Sequence, residues 1–139
     1  MNAGRTPTLT RVLFIVIMAG VVSFAAAADW RQVTDVPGWS QRTGHSLVVL
    51  DNKIWLLGGV CVTSDFTFYT DVWYSADGDN WTLATTNAAW GPRGAQAAVA
   101  FDDKLWFIGG ESIHEGGSCK DVWYSPDGVT WTLATNTAP

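Results

Sequence analysis

All nine tryptophans of this 139-residue chain fall into a register that repeats after 50 or 51 residues. Trp30, Trp81 and Trp131 form one series, and Trp39 and Trp90 a second. Trp55 and Trp106 make a third, and Trp73 and Trp123 a fourth. None is left over. Self-similarity at a fixed period of this length marks a chain built from repeated supersecondary units, each stacking on its neighbour because none buries its apolar faces alone.

The units are also visible as identity. Residues 71–85 read DVWYSADGDNWTLAT and residues 121–135 read DVWYSPDGVTWTLAT, so only Ala76, Asp79 and Asn80 differ from their partners. Upstream, KIWLLGG at 53–59 returns as KLWFIGG at 104–110. The offset falls from 51 to 50 between the double glycine and the DVWY run, a change that belongs in a loop. Each unit predicts four short strands: Ser46–Leu50, Lys53–Leu57, Val72–Ser75 and 81–84, then Ala97–Phe101, Lys104–Ile108, Val122–Ser125 and 131–134. These runs are rich in β-branched and aromatic residues and bounded by Gly, Asp and Asn, and no helical period lies between them. Asp51-Asn52 and the Asp77-Gly78 and Asp127-Gly128 pairs are turn formers.

Four strands in a period near 50 make one propeller blade. The motif set resembles kelch repeats: Arg42-x-x-His45-Ser46, an apolar strand, the double glycine, a variable loop, the Trp73-Tyr74 strand and a final Trp81. The resemblance covers nearly all of the chain after residue 29, and the DVWYSPDG run is similar to bacterial secreted members. The second repeat departs from it, with Gln96-Ala97 where the first has His45-Ser46. The S-x-D-G-x-x-W run is also similar to the Asp-box turn of sialidase-like propellers, but one residue shorter, which favours kelch. The resemblance implies an all-β, incomplete kelch-type β-propeller: two four-stranded antiparallel blades, at 42–85 and 93–135, and one leading outer strand at 30–34 that belongs to a preceding or closing blade. Closed propellers use four to eight blades. The next loop tryptophan would fall at position 140, so a truncated reading frame is expected.

Ahead of the repeats, Arg5 and Arg11 precede an apolar stretch at 12–24 and an all-alanine exit at 25–28. That is the layout of a secretory signal peptide cleaved after Ala28, too short for a comfortable membrane span. The mature region is 29–139, expected to be secreted or periplasmic. The chain has net charge −5, and no cluster of Lys and Arg suits a nucleic acid or, after signal cleavage, an anionic membrane.

Successive strands run up and down, so loops 60–70 and 111–120 should emerge on the same face as the inter-blade segments 35–41 and 86–92. Trp39, Arg42, Trp90 and Arg93 are the ligand-binding candidates there, an aromatic beside a guanidinium being able to stack on a sugar and fork a carboxylate. The same four also suit packing between blades, and that framework role takes precedence because a fold by itself carries no function. Gly58-Gly59 and Gly109-Gly110 precede no helix, so they are expected to supply positive φ or close approach rather than a phosphate loop. Asp71 and Asp121 should bond loop backbone at a strand start, and Trp81 and Trp131 belong to the structural motif. His114 with Glu111 and Glu115 is a metal-ligand grouping without counterpart in the first repeat, so neither metal nor cofactor is expected. Cys61 and Cys119 lie in neighbouring loops, where an oxidising compartment favours a disulfide. Such a bridge would be worth about 4 kcal/mol by chain entropy if the geometry brings the two within reach; two thiols, or pairing with cysteines of missing blades, are the alternatives.

The function expected is an exported binding module presenting loops to a glycan, peptide or protein. The alternative is a carbohydrate-active enzyme, since the resemblance extends to sialic-acid mutarotases and copper radical oxidases, although the chain lacks the His/Tyr copper set. A third reading is a non-functional gene remnant. Bare blade faces and strand edges point to self-association.

Overall fold

Residues 30–63, 65–112 and 116–138 are described by the computed structural model; the expected signal peptide lies outside them. The described chain is all-β. Its strands are β1 (Ser46–Leu50), β2 (Lys53–Leu57), β3 (Val60–Cys61), β4 (Thr67–Phe68), β5 (Val72–Ser75) and β6 (Trp81–Thr85). The second repeat supplies β7 (Ala97–Phe101), β8 (Lys104–Ile108), β9 (Glu111–Ser112), β10 (Gly117–Ser118), β11 (Val122–Ser125) and β12 (Thr132–Thr135). Two antiparallel four-stranded sheets result, ordered β1-β2-β5-β6 and β7-β8-β11-β12, and neither closes on itself. The β3–β4 and β9–β10 pairs are small hairpins inside what the sequence presents as irregular loops.

Local chemistry sets the register. Leu50 pairs with Lys53 and Phe101 with Lys104, leaving two-residue turns at Asp51-Asn52 (φ 51° and 55°) and Asp102-Asp103 (φ 52° and 52°). Positive φ at both central positions makes the twist of the turn match that of the strands. The outer strands β6 and β12 each run one residue past the expected end. Val72 faces Thr85 but Trp73 faces Leu83, and Val122 faces Thr135 but Trp123 faces Leu133. A bulge therefore passes over Ala84 and Ala134, and a bulged strand needs one more residue to reach the same point.

The β5–β6 and β11–β12 turns are locked alike. The Ser75 hydroxyl accepts from the N–H groups of Asp77 and Gly78, and Asp77 Oδ1 accepts from those of Asp79 and Asn80. Ser125 and Asp127 repeat every one of these bonds. Hydrogen bonds from the Asn80 side chain and backbone hold the Asp77 carboxyl well below its ordinary range. Positions 79 and 80 contribute chiefly N–H groups, which explains why Val129 and Thr130 replace Asp and Asn there without altering the turn.

Strand alternation gives each sheet two faces. One face of the first sheet, with Val48, Trp55, Leu57 and Val72, packs against Leu105, Phe107 and Trp131 of the second, and Ala88 and Trp90 from the connecting segment fill the joint. Strand β1 lies along β7 and β8. Gln96, buried in the joint, donates to the Leu57 carbonyl at 2.9 Å, and Gly59 N–H donates to the Arg93 carbonyl at 3.0 Å. Residues 30–34, expected as the outer strand of a preceding or closing blade, form no strand here: no described strand of such a blade lies beside them to take up their backbone groups.

Candidate functional site

Each repeat contains the same guanidinium fork. Arg42 donates through Nη1 to Asp71 Oδ1 at 2.5 Å and through Nη2 to Oδ2 at 2.9 Å, with Nη1 also reaching the Gly58 carbonyl at 3.1 Å. Arg93 forks Asp121 at 2.5 and 3.1 Å, and donates to the carbonyls of Gly109 and Trp90. The neighbouring indoles complete each carboxylate, Trp73 Nε1 at 2.7 Å from Asp71 and Trp123 Nε1 at 2.6 Å from Asp121. Burial raises the Asp121 pKa, but the hydrogen bonds from Arg93 and Trp123 and the Arg93 charge outweigh it, so the carboxyl titrates below its ordinary value. Asp71 and Asp121 thus take side-chain donors where the sequence suggested loop backbone.

The double glycines make this geometry reachable. Gly58 and Gly109 turn their carbonyls to the arginines from left-handed backbone (φ 57° and 60°), and Gly59 and Gly110 follow at 106° and 105°. A Cβ on Gly59 would lie 2.9 Å from His45 Cβ, and one on Gly110 would lie 2.9 Å from Gln96 Cβ.

The four candidate ligand residues come together around these forks, but inward. Trp90 is 1% exposed and the Arg93 side chain 2%. Trp90 stacks on Phe107 at 4.0 Å and meets Trp131 edge-on at 6.1 Å. The Arg42 side chain is equally enclosed, at 1%, beneath Tyr69, whose ring centre lies 4.0 Å from its guanidinium carbon. Trp39 meets Trp81 edge-on at 5.8 Å yet stays half-buried, because no described sheet covers that side. Sequence reading missed Tyr69: the second repeat has no aromatic at its place and Arg93 uses Phe107 instead.

What faces outward is the pair of loop hairpins. Thr43 bridges to Val60 and Gly94 to Glu111, and Gly94 lies against Val60, so both hairpins rise from one edge side by side. Val62 and Phe66 stand 57% and 59% exposed on the first. No disulfide joins Cys61, on β3, to Cys119, just beyond β10. His114 and Glu115 lie outside the described residues; among the described residues no group of three His, Cys, Asp or Glu side chains is placed to hold a metal.

No family model matches the chain. Over 75 residues the chain is 33% identical to Tip elongation aberrant protein 3 of Schizosaccharomyces pombe, a match covering 50% of this chain and 7% of that protein. The chain therefore spans a small fraction of that relative's length.

Proposed function

We propose that this chain is part of an exported kelch-type β-propeller that binds a glycan, peptide or protein through its loop hairpins. Supporting the propeller reading are two four-stranded up-and-down sheets, repeated at 50 or 51 residues and packed face to face. The observation that carries the binding role is the division of labour between framework and loops. The forks, double glycines and locked turns recur in both repeats, whereas the adjacent hairpins differ wholly, the first exposing Val62 and Phe66. A rigid scaffold presenting divergent loops is the usual arrangement of a binding surface, and exposed apolar side chains on such loops favour contact with a partner. Arg93 and Trp90 then serve as framework, holding the hairpins in place.

Export rests on the basic, apolar and alanine-rich order of residues 1–28. The test is a glycan array and a displayed peptide library, each probed with the purified exported protein and with Phe66→Ser. Binding by the parent that Phe66→Ser abolishes, with an unchanged melt, supports the reading; binding that survives Phe66→Ser and Val62→Ser together removes it. Mass spectrometry of the exported protein should find its amino terminus at Asp29.

A further inference from the structure

We propose that copies of this chain associate head to tail, the outer face of the second sheet in one copy docking on the outer face of the first sheet in the next. The internal joint supplies the template. Its first-sheet side presents Val48, Leu50 and Trp55; its second-sheet side presents Ala98, Ala100 and the Gly128 turn. In the second repeat, Val99, Phe101 and Trp106 take the places of Val48, Leu50 and Trp55, on a face that no described element covers. In the first repeat, Leu47, Val49 and Gly78 take the places of Ala98, Ala100 and Gly128, on a face where Gly38 and Trp39 lie against Trp73 and Trp81 but which no described sheet covers. The described residues thus carry both halves of one joint, not mated with each other.

Exposure measures what is left open. Val48 is 6% exposed and its equivalent Val99 48%; Phe101 reaches 68%, and on the other side Leu47 and Val49 reach 57% and 67%. The glycine turns show the same contrast. A Cβ on Gly128 would come within 2.1 Å of the Trp55 ring, whereas nothing lies within 4 Å of one on Gly78. Both turns share a left-handed backbone, with φ 72° and 80°, so Gly78 offers the half-buried Trp106 of another copy the seat that Gly128 offers Trp55. At the rim, Lys104 is paired with Asp102 at 2.9 Å, so the two charges there offset one another. Leu47 and Val49 are larger than Ala98 and Ala100, so the joint between copies is wider at the inner strands than the joint within the chain. Because the two surfaces differ, the contact is heterologous; it closes into a ring or extends as a filament according to the rotation per copy. A second copy is the fitting occupant because each face matches a partner surface that the chain itself carries.

The test uses Val49→Lys, which spoils the first-sheet face, and Phe101→Lys, which spoils the second. Both sites are exposed, and circular dichroism melts verify that each variant is folded; Leu47→Lys and Val99→Lys replace any that is not. Sedimentation velocity of the purified chain over a concentration series should show association of the parent, loss of association in each variant alone, and a heterodimer but nothing larger when the two variants are mixed. A parent that stays monomeric overturns the proposal and leaves these faces to further repeats of a longer polypeptide. Association of either variant alone, or a mixture that stays monomeric, also overturns it, the first by indicating a like-with-like or non-specific contact.

Discussion

At the residue scale, the Arg93 fork joins charge balance to packing. Its guanidinium is enclosed between the sheets, satisfies Asp121, and lies 5.8 Å from the Phe107 ring. Breaking a buried pair by removing one partner strands the other charge, so Arg93→Met is expected to cost about 3–5 kcal/mol in urea unfolding. Arg93→Lys should recover only part, since one ammonium cannot span both carboxylate oxygens. His45 provides a pH signature. Burial, and then the positive charge of Arg42, lower its pKa below the ordinary 6.5. The fold therefore favours the neutral imidazole: the contribution to stability is complete above pH 6.5 and is lost as pH falls through the lowered folded value. His45→Gln, which installs the residue found at Gln96 in the second repeat, should flatten the decline in melting temperature between neutral and mildly acidic pH. Asp121 and Asp127, whose pKa values are also lowered, act only in a more acidic window, below their ordinary 3.8.

At the scale of elements, the turns separate backbone preference from space. Gly59 and Gly78 both have positive φ, but only Gly59 is hemmed in, with His45 Cβ and the Thr43 carbonyl at 2.9 and 3.0 Å from a built Cβ. Gly78→Ala should thus show only the left-handed penalty, about 1–2 kcal/mol. Gly59→Ala adds a backbone clash and should lose more, with the two compared by urea midpoint. The double glycine is readable from sequence as a conformational requirement, because it precedes no helix. That its second member also sits against the start of β1 is a matter of neighbours the sequence does not display.

At the scale of the molecule, the two sheets share one core. Val48, Trp55 and Leu57 from one meet Phe107 and Trp131 from the other around Trp90, so the sheets should unfold together. Phe107→Ala removes the ring on which Trp90 stacks, and a large-to-small change of this kind costs about 3–5 kcal/mol. Far-UV circular dichroism and tryptophan fluorescence should shift together to a lower midpoint; two separated transitions would show that the sheets are independent.

The strands of the two four-stranded sheets, their order along the chain and the two-residue turns were legible in the sequence because alternation and turn chemistry are local, and the repeat displayed each of them twice; the small β3–β4 and β9–β10 hairpins were not. The limits of β6 and β12 were off by one residue because a bulge arises from pairing rather than from composition. The sequence also brought Trp39, Arg42, Trp90 and Arg93 forward as a set, since a shared register marks shared surroundings. It could not say which way they turn. Only the tertiary structure decided that Asp71 and Asp121 accept the arginines and that Trp90 is sealed while Trp39 is half-open. A side chain's partners depend on which strand and which sheet come to lie opposite it, and that is settled by packing across 28 or 29 residues of chain, beyond the reach of any local pattern.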